Sequence, residues 1–448
     1  MSDPADTPAA DTPAARIRAA ARAGAVEEAA RLATALLAEV LGRPVGDVAI
    51  NRDIYSLNSV NGFAVADGGE PLFFKFHQEE GEEAGVGEYY NAQVLHDAGY
   101  QVDMPLAVSQ APGRQVLVYR RRQDRRLSDV CADLERQRDP VTGLRVTAAQ
   151  SAFDDANIAV ALATLHTATA DDVAAEPIHQ LFHHRLVDRA PGGGGPGALG
   201  GRAKAFYVDG RFDFDGWSGS WAEIAGLSWR INGLDYPMTL ADAFARAFRL
   251  LNPANLGPGP ALVAHGDAHN ANVWFEADDR VGADDRLVFF DPAFAGRHVP
   301  ALLAEVKATF HNVFAHPFWL YDPAEATRRY TATVCCTGEV LEVETDHRLS
   351  PLRHSFLASK AVRFWRPLLG RLAAGNQLAA DWQDVVRAAL FACPTLVMDL
   401  TAASASAHTP TSSAIGLAMA MQCACPPAAG TDDVSRFLTM ADPAQIPP

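Results

Sequence analysis

Lysine is nearly missing from this chain: its 448 residues hold only Lys75, Lys204, Lys307 and Lys360. Cysteine is sparse too. Six residues (Cys131, Cys335, Cys336, Cys393, Cys423 and Cys425) in so long a chain make no disulfide framework. Neither Cys335-Cys336 nor Cys423-Ala-Cys425 has the paired C-x-x-C spacing of a zinc ribbon, so all six read as reduced thiols. No apolar run reaches membrane-spanning length. The opening Met1-Ser-Asp-Pro-Ala-Asp lacks the basic and apolar segments of a secretory signal, and the expected compartment is the cytoplasm. Basic charge is short as well, with 38 Lys and Arg against 54 Asp and Glu, a net charge of −16. That balance argues against nucleic acid or an anionic membrane as partner, and leans toward a cationic small molecule.

What remains is an ordinary globular composition, 48% apolar and 21% charged, long enough for two or three domains. Residues 1–15 are Ala/Pro/Asp/Thr repeats with nothing to bury and are expected to be a disordered tail. The stretch that organises the rest runs Ala261-Leu-Val-Ala-His265-Gly266-Asp267-Ala-His269-Asn-Ala-Asn272-Val-Trp-Phe275, followed by Leu287-Val-Phe-Phe290-Asp291. Two short apolar runs bracket a polar loop, and a third ends on a carboxylate; runs of that length read as buried strands. One carboxylate (Asp267), an amide five positions on (Asn272) and a second carboxylate (Asp291) are what phosphoryl transfer requires. They supply a base for the accepting hydroxyl and oxygen ligands for Mg2+. The same loop can be read differently, with His265, Asp267 and His269 as an H-x-D-x-H metal cluster of a hydrolase. That reading leaves Asn272 and Asp291 without a task.

The pattern His265-Gly-Asp267-x-His-x-x-Asn272, with an Asp at the end of a later strand, resembles the aminoglycoside phosphotransferase and choline kinase branch of the kinase-like phosphotransferases. Protein kinases carry Arg where this chain has Gly266. The resemblance covers residues 45–310 or so and is sharpest at 261–296. It implies an α+β, bilobal, protein-kinase-like fold with a small antiparallel-sheet N-lobe and a large, mostly helical C-lobe. It also implies a small-molecule kinase that moves the γ-phosphate of ATP or GTP to a hydroxyl of an amino sugar, aminoglycoside or related acceptor. In that frame Asp267 is the catalytic base, Asn272 and Asp291 hold Mg2+, and His265 braces the loop. Lys75, between Phe74 and Phe76, would hold the α/β-phosphates. Glu88, which opens a helical pattern, would set it, with Glu82 and Glu83 as the other candidates. An aromatic-flanked lysine is also what a water-facing edge strand carries.

Taken in order, Arg16 to Leu41 reads as one helix closed by Arg43-Pro44. Strand-like segments follow at Val48–Leu57, Gly62–Ala66 and Pro71–Phe76. The turn Ser56–Gly62 would lie over the nucleotide phosphates, with Ser59 and Asn61 contributing; it has no GxGxxG pattern. Val102–Val108 and Gln115–Tyr119 complete the sheet, and Tyr119-Arg120 opens the hinge whose backbone would meet adenine. These boundaries give a nucleotide-binding lobe at 16–120 and a helical lobe at 121–448. Ala148–Ala168 reads as a long helix, and residues 181–260 as an insert whose aromatics (Phe206, Tyr207, Phe212, Phe214, Trp217, Trp221, Trp229) are core first. After Asp291, helices are expected at Pro300–Val313, Glu325–Val334, Arg353–Leu372 and Asp381–Met398. His298 and Glu305 could reach the acceptor, and the small-residue tail after Thr409 is expected to pack loosely. A catalytically silent nucleotide-binding regulator of the same fold is the remaining alternative.

Overall fold

A computed structural model describes the chain outside residues 1–11, 52–58, 78–86, 110, 112, 138, 189–198, 279–283, 316, 404–405 and 446–448. The chain divides into two compact units, residues 1–96 with 102–124, and residues 97–101 with 125–448. The division falls a few residues beyond the expected boundary at 120.

The first unit is built on a five-stranded antiparallel sheet: β1 (Val45–Ile50), β2 (Ser59–Ala66), β3 (Glu70–His77), β4 (Ala107–Ser109) and β5 (Val116–Arg120), in spatial order β1-β2-β3-β5-β4. Asp67-Gly68-Gly69 makes the β2–β3 turn, with both glycines at positive φ (88° and 83°), where a side chain would be strained. Gly62 in β2 has another reason to be glycine. A Cβ there would sit 2.3 Å from the Ala49 carbonyl oxygen and 2.5 Å from the Phe74 ring. The single helix expected over 16–41 is two, α1 (Pro13–Arg22) and α2 (Val26–Leu41). Gly24, at φ 75°, breaks the run. Ile17, Leu36 and Leu37 from these helices pack with Leu72, Phe74, Phe76 and Val118 of the sheet into one buried cluster. The strand expected from Val102 forms only at Ala107–Ser109.

In the second unit, two small sheets position the polar loop. Strand Gly259–Ala264 lies between Gly296–Pro300 and His166–Ala168, and strand Val273–Glu276 lies between Arg286–Phe289 and Arg125–Arg126. The helix Pro140–Thr164 starts at a Pro, with Asp139 accepting from the Val141 N–H at 3.0 Å, and ends four residues before the expected Ala168. His166–Ala168 is already a strand.

Four further expectations are corrected here. Residues 300–305 are strand end and turn, so the helix begins at Val306. Ala332–Thr337 is a strand rather than a helix end, because Thr333, Val334 and Thr337 are β-branched and suit the pleated surface. The segment Arg353–Leu372 is helical but widens to a π-type turn over Lys360–Trp365 ahead of Pro367. The tail after Thr409 is not loose. Pro410–Ala424 forms a helix buried on nearly every side, packed on the helix Trp382–Val397. Its small, uncharged residues permit that close approach, and Thr409 caps it by accepting from the Ser412 N–H at 3.2 Å. Of the insert's aromatics, Tyr207, Phe212, Phe214 and Trp229 are core as expected, whereas Phe206, Trp217 and Trp221 are only half-buried. Among the described residues, no helix is long and apolar enough to cross a membrane.

Candidate active site

Strand Gly259–Ala264 delivers His265, after which Gly266 reverses the chain at φ 78°. A Cβ on Gly266 would stand 2.4 Å from the Phe294 carbonyl oxygen, so the residue that departs from the protein-kinase pattern is the one this turn admits. The buried His265 ring ties the turn down from both nitrogens. Its Nδ1 accepts the Asp267 N–H at 3.3 Å and its Nε2 donates to the Phe290 carbonyl at 3.0 Å. The Asn272 side-chain amide then donates to the Asp267 carbonyl at 2.9 Å, and the Asp267 carbonyl also accepts the His269 N–H at 2.9 Å. Finally the Phe290 N–H donates to the Asn272 carbonyl at 3.0 Å. Phe290 is therefore a joint. Its carbonyl holds the start of the loop, its N–H holds the end, and the next residue is Asp291.

Asp291 has φ 53°, in the left-handed region, although a residue before proline ordinarily takes an extended conformation. Asp tolerates that region better than most residues, but the geometry costs on the order of 1–3 kcal/mol and persists only where surrounding structure enforces it. Asn270, behind the loop, is fixed by its N–H donating to Asn312 Oδ1 at 2.8 Å. The Asn312 carbonyl in turn accepts from buried Arg353 at 2.8 Å, and Arg353 pairs with Glu135 at 2.9 Å.

The Asp267 carboxylate is the least satisfied group in this frame. Its Oδ1 is buried and accepts no hydrogen bond, with Lys307 Nζ 3.8 Å away, and its Oδ2 is 3.7 Å from His269 Nε2. Burial pushes its pKa up, but His269, Lys307, His265 and Arg185 pull it down further, so the net shift is below the ordinary carboxylate value. Lys307 also contacts His311 Nε2 at 3.0 Å, and His311 Nδ1 contacts the Tyr321 hydroxyl at 2.8 Å. Burial and the nearby Lys307 hold the His311 pKa well below its usual value. The sequence carried a signal for this chain of groups that went unused. One of only four lysines, and a histidine four residues later, sit in a mostly apolar helical run, which places both on one face.

The arrangement fits a hard divalent cation. Asn272 spends its amide N–H on the loop, and its oxygen accepts from none of the described residues, beside the Asp291 strand end. One carboxylate and one amide suit Mg2+, which takes most of its remaining ligands from water and phosphate. The H-x-D-x-H reading fails on the same geometry, because both His265 nitrogens are engaged by backbone groups. Glu305 does not reach an acceptor. It is buried, ion-paired with Lys360, and lines a small internal cavity with Tyr100 and Asn157. His298 Nδ1 lies 2.9 Å from His166 Nε2, so its ring is held by the neighbouring strand.

In the first unit, Lys75 is 9% exposed on β3, a central strand, paired with Asn61 on β2 and Leu117 on β5. This overturns the edge-strand reading. Asn61 and Tyr119 are buried, while the exposed Arg120 pairs with Glu70 at 3.2 Å. Glu88 falls within the helix Gly87–Ala98. Its side chain, that of Ser59, and all of Glu82 and Glu83 lie outside the described residues.

No family model matches the sequence. No curated protein matches it either. Among solved structures the chain is similar to a macrolide 2′-phosphotransferase type I (14% identity, TM-score 0.32, 80% of this chain and 96% of that one). It is also similar to a protein assigned as a fructosamine-3-kinase from Thermobifida fusca YX-ER1 (16%, 0.36, 87% and 98%) and to a glucosamine kinase (13%, 0.35, 83% and 90%). At these identities and TM-scores, a functional reading has to rest on the chain's own residues.

Proposed function

We infer that this protein is a small-molecule kinase, transferring the γ-phosphate of ATP or GTP to a hydroxyl of an amino sugar, aminoglycoside or related acceptor. The observation that carries the reading is the joint at Phe290, which locks the loop of Asp267 and Asn272 to the strand that ends at Asp291. A loop serving only as a turn has no need of a strained Asp291, a glycine fixed by a carbonyl contact, or a buried carboxylate oxygen left without a donor.

In this reading Asp267 orients the accepting hydroxyl and takes its proton, with the depressed pKa keeping the carboxylate ionised across the neutral range. Asn272 and Asp291 would hold Mg2+, which when bound neutralises charge on the transferring phosphoryl group. Lys75 would bind the α/β-phosphates, set by Glu88, with Ser59, Asn61, Tyr119 and the backbone at Arg120 completing the nucleotide site.

The test is Mg2+-dependent release of ADP or GDP from purified protein against amino sugars, aminoglycosides, choline and simple sugars. Asp267→Asn is expected to retain nucleotide binding and lose about 10²- to 10⁴-fold in turnover. Normal turnover in that variant would sink the assignment. Tight Mg-nucleotide binding with no release for any acceptor would favour a silent regulator.

A further inference from the structure

Lys307, His311 and Tyr321 form a line of polar groups that the phosphoryl-transfer reading leaves without a task, and the hydrogen-bond chemistry gives that line a direction. An ammonium has three donors and no acceptor, so in the 3.0 Å contact Lys307 donates and His311 Nε2 accepts. A neutral imidazole with its Nε2 lone pair committed carries its proton on Nδ1. In the 2.8 Å contact with Tyr321, His311 is therefore the donor and the phenolic oxygen the acceptor. The Tyr321 proton must point elsewhere, and among the described residues the hydroxyl makes no other hydrogen bond.

Tyr321 is 36% exposed, so its side chain is reachable from solvent, while the protein packed around its hydroxyl pushes the phenol pKa up. Lys307, which contacts His311, also lies 3.8 Å from Asp267 Oδ1, so hydroxyl and base share a neighbourhood. His269, in ring contact with His311 at 5.2 Å and facing Asp267 Oδ2, lies between them.

We propose that Tyr321 is an acceptor-binding residue: oriented by Lys307 and His311, its hydroxyl donates a hydrogen bond to one oxygen of the small molecule whose neighbouring hydroxyl Asp267 activates. The proposal rests on the kinase reading and narrows it. The acceptor carries a second oxygen besides the hydroxyl that is phosphorylated, as sugars and cyclitols do, and choline, whose one hydroxyl is its only oxygen, does not qualify.

The experiment incorporates 3-fluorotyrosine into the full chain and assigns the Tyr321 resonance by its loss in Tyr321→Phe. D-glucosamine, D-glucose, myo-inositol and choline are then titrated with Mg2+ and a non-hydrolysable ATP analogue present. ADP release is measured in parallel on unlabelled wild type and Tyr321→Phe. The expected result is that a sugar or cyclitol moves the resonance, and that its KM rises roughly 3- to 10-fold in the variant, the worth of one hydrogen bond. Phosphorylation of such a probe with an unmoved resonance and unchanged KM would overturn the proposal and leave the kinase reading standing, as would phosphorylation of choline alone. A moved resonance without ADP release from any probe would support the subsite and sink the kinase reading. Neither movement nor release would remove both.

Discussion

Two buried lysines of the second unit meet carboxylates in opposite ways. Lys360 lies against Asp154, 2.7 Å away, and against Glu305, while Ser359 donates to the other Asp154 oxygen at 2.6 Å and Gln150 donates to Asp154 at 2.9 Å. Those charges are consumed by one another. Lys307 stands 3.8 Å from Asp267, beyond hydrogen-bonding distance, and the facing oxygen accepts nothing. Burying ions is tolerable when every lone pair is used and costly when one is not. The first cluster has the economy of a structural tie, whereas the second retains capacity for something that is not protein. Sequence alone gives both sites the same reading, a lysine and an acid in an apolar setting.

Lys360→Met should break the tie and leave two buried carboxylates uncompensated, lowering the unfolding free energy by about 3–5 kcal/mol in a urea titration. A loss under 1 kcal/mol would mean that the cluster is not holding the fold. His408 sharpens the contrast as a buried titratable group that stays neutral. Burial pushes its pKa down from 6.5 to about 4, with Nδ1 at 3.0 Å from Ser412 Oγ. Above pH 6.5 neither the folded nor the unfolded chain protonates it. Between 6.5 and about 4 only the unfolded chain does, so stability drops by about 1.4 kcal/mol for each unit the pH is lowered. His408→Gln should flatten that part of the pH–stability profile, and an unchanged slope would assign it to other groups. Gly266→Ala should cost about 1–2 kcal/mol from the positive φ alone and lower turnover, because the Phe294 carbonyl must also move. Lys307→Met should cost least in stability, about 1 kcal/mol, because one hydrogen bond, to His311, is lost and none to Asp267, while turnover drops. Equal stability losses in the two lysine variants would erase the distinction between the sites.

The loop itself was legible because its spacing carries the chemistry. Asp267 and Asn272 sit five apart, with apolar strand runs on either side and Asp291 closing the next one. Lys75 was legible as unusual but not as central, since strand order is decided by partners far away in sequence. Glu305 was misassigned because a single acid after the strand that ends at Asp291 looks available until its partner arrives 55 residues later, at Lys360. The C-terminal helix was misread for a related reason. Alanine, serine and methionine look featureless along the chain, and only the facing helix Trp382–Val397 makes their small size useful. Local pattern set the chemistry of the loop, and long-range partners set everything that surrounds it.

Those long-range partners also bear on how the protein comes off the ribosome. Strand Ser228–Ile231 pairs in parallel with Val340–Thr345, beginning with Ser228 opposite Val340, and the whole polar loop lies in the chain between them. At about 5–20 residues per second, the earlier strand waits roughly 5–20 s for this partner to be made. Its other edge is covered at once by Leu234–Tyr236 through a tight Asn232-Gly233 turn, which leaves one side bare during that interval. The polar loop is thus translated inside an unfinished clasp, and a pause or truncation before Val340 would leave a complete sequence motif in a chain one of whose sheets cannot close.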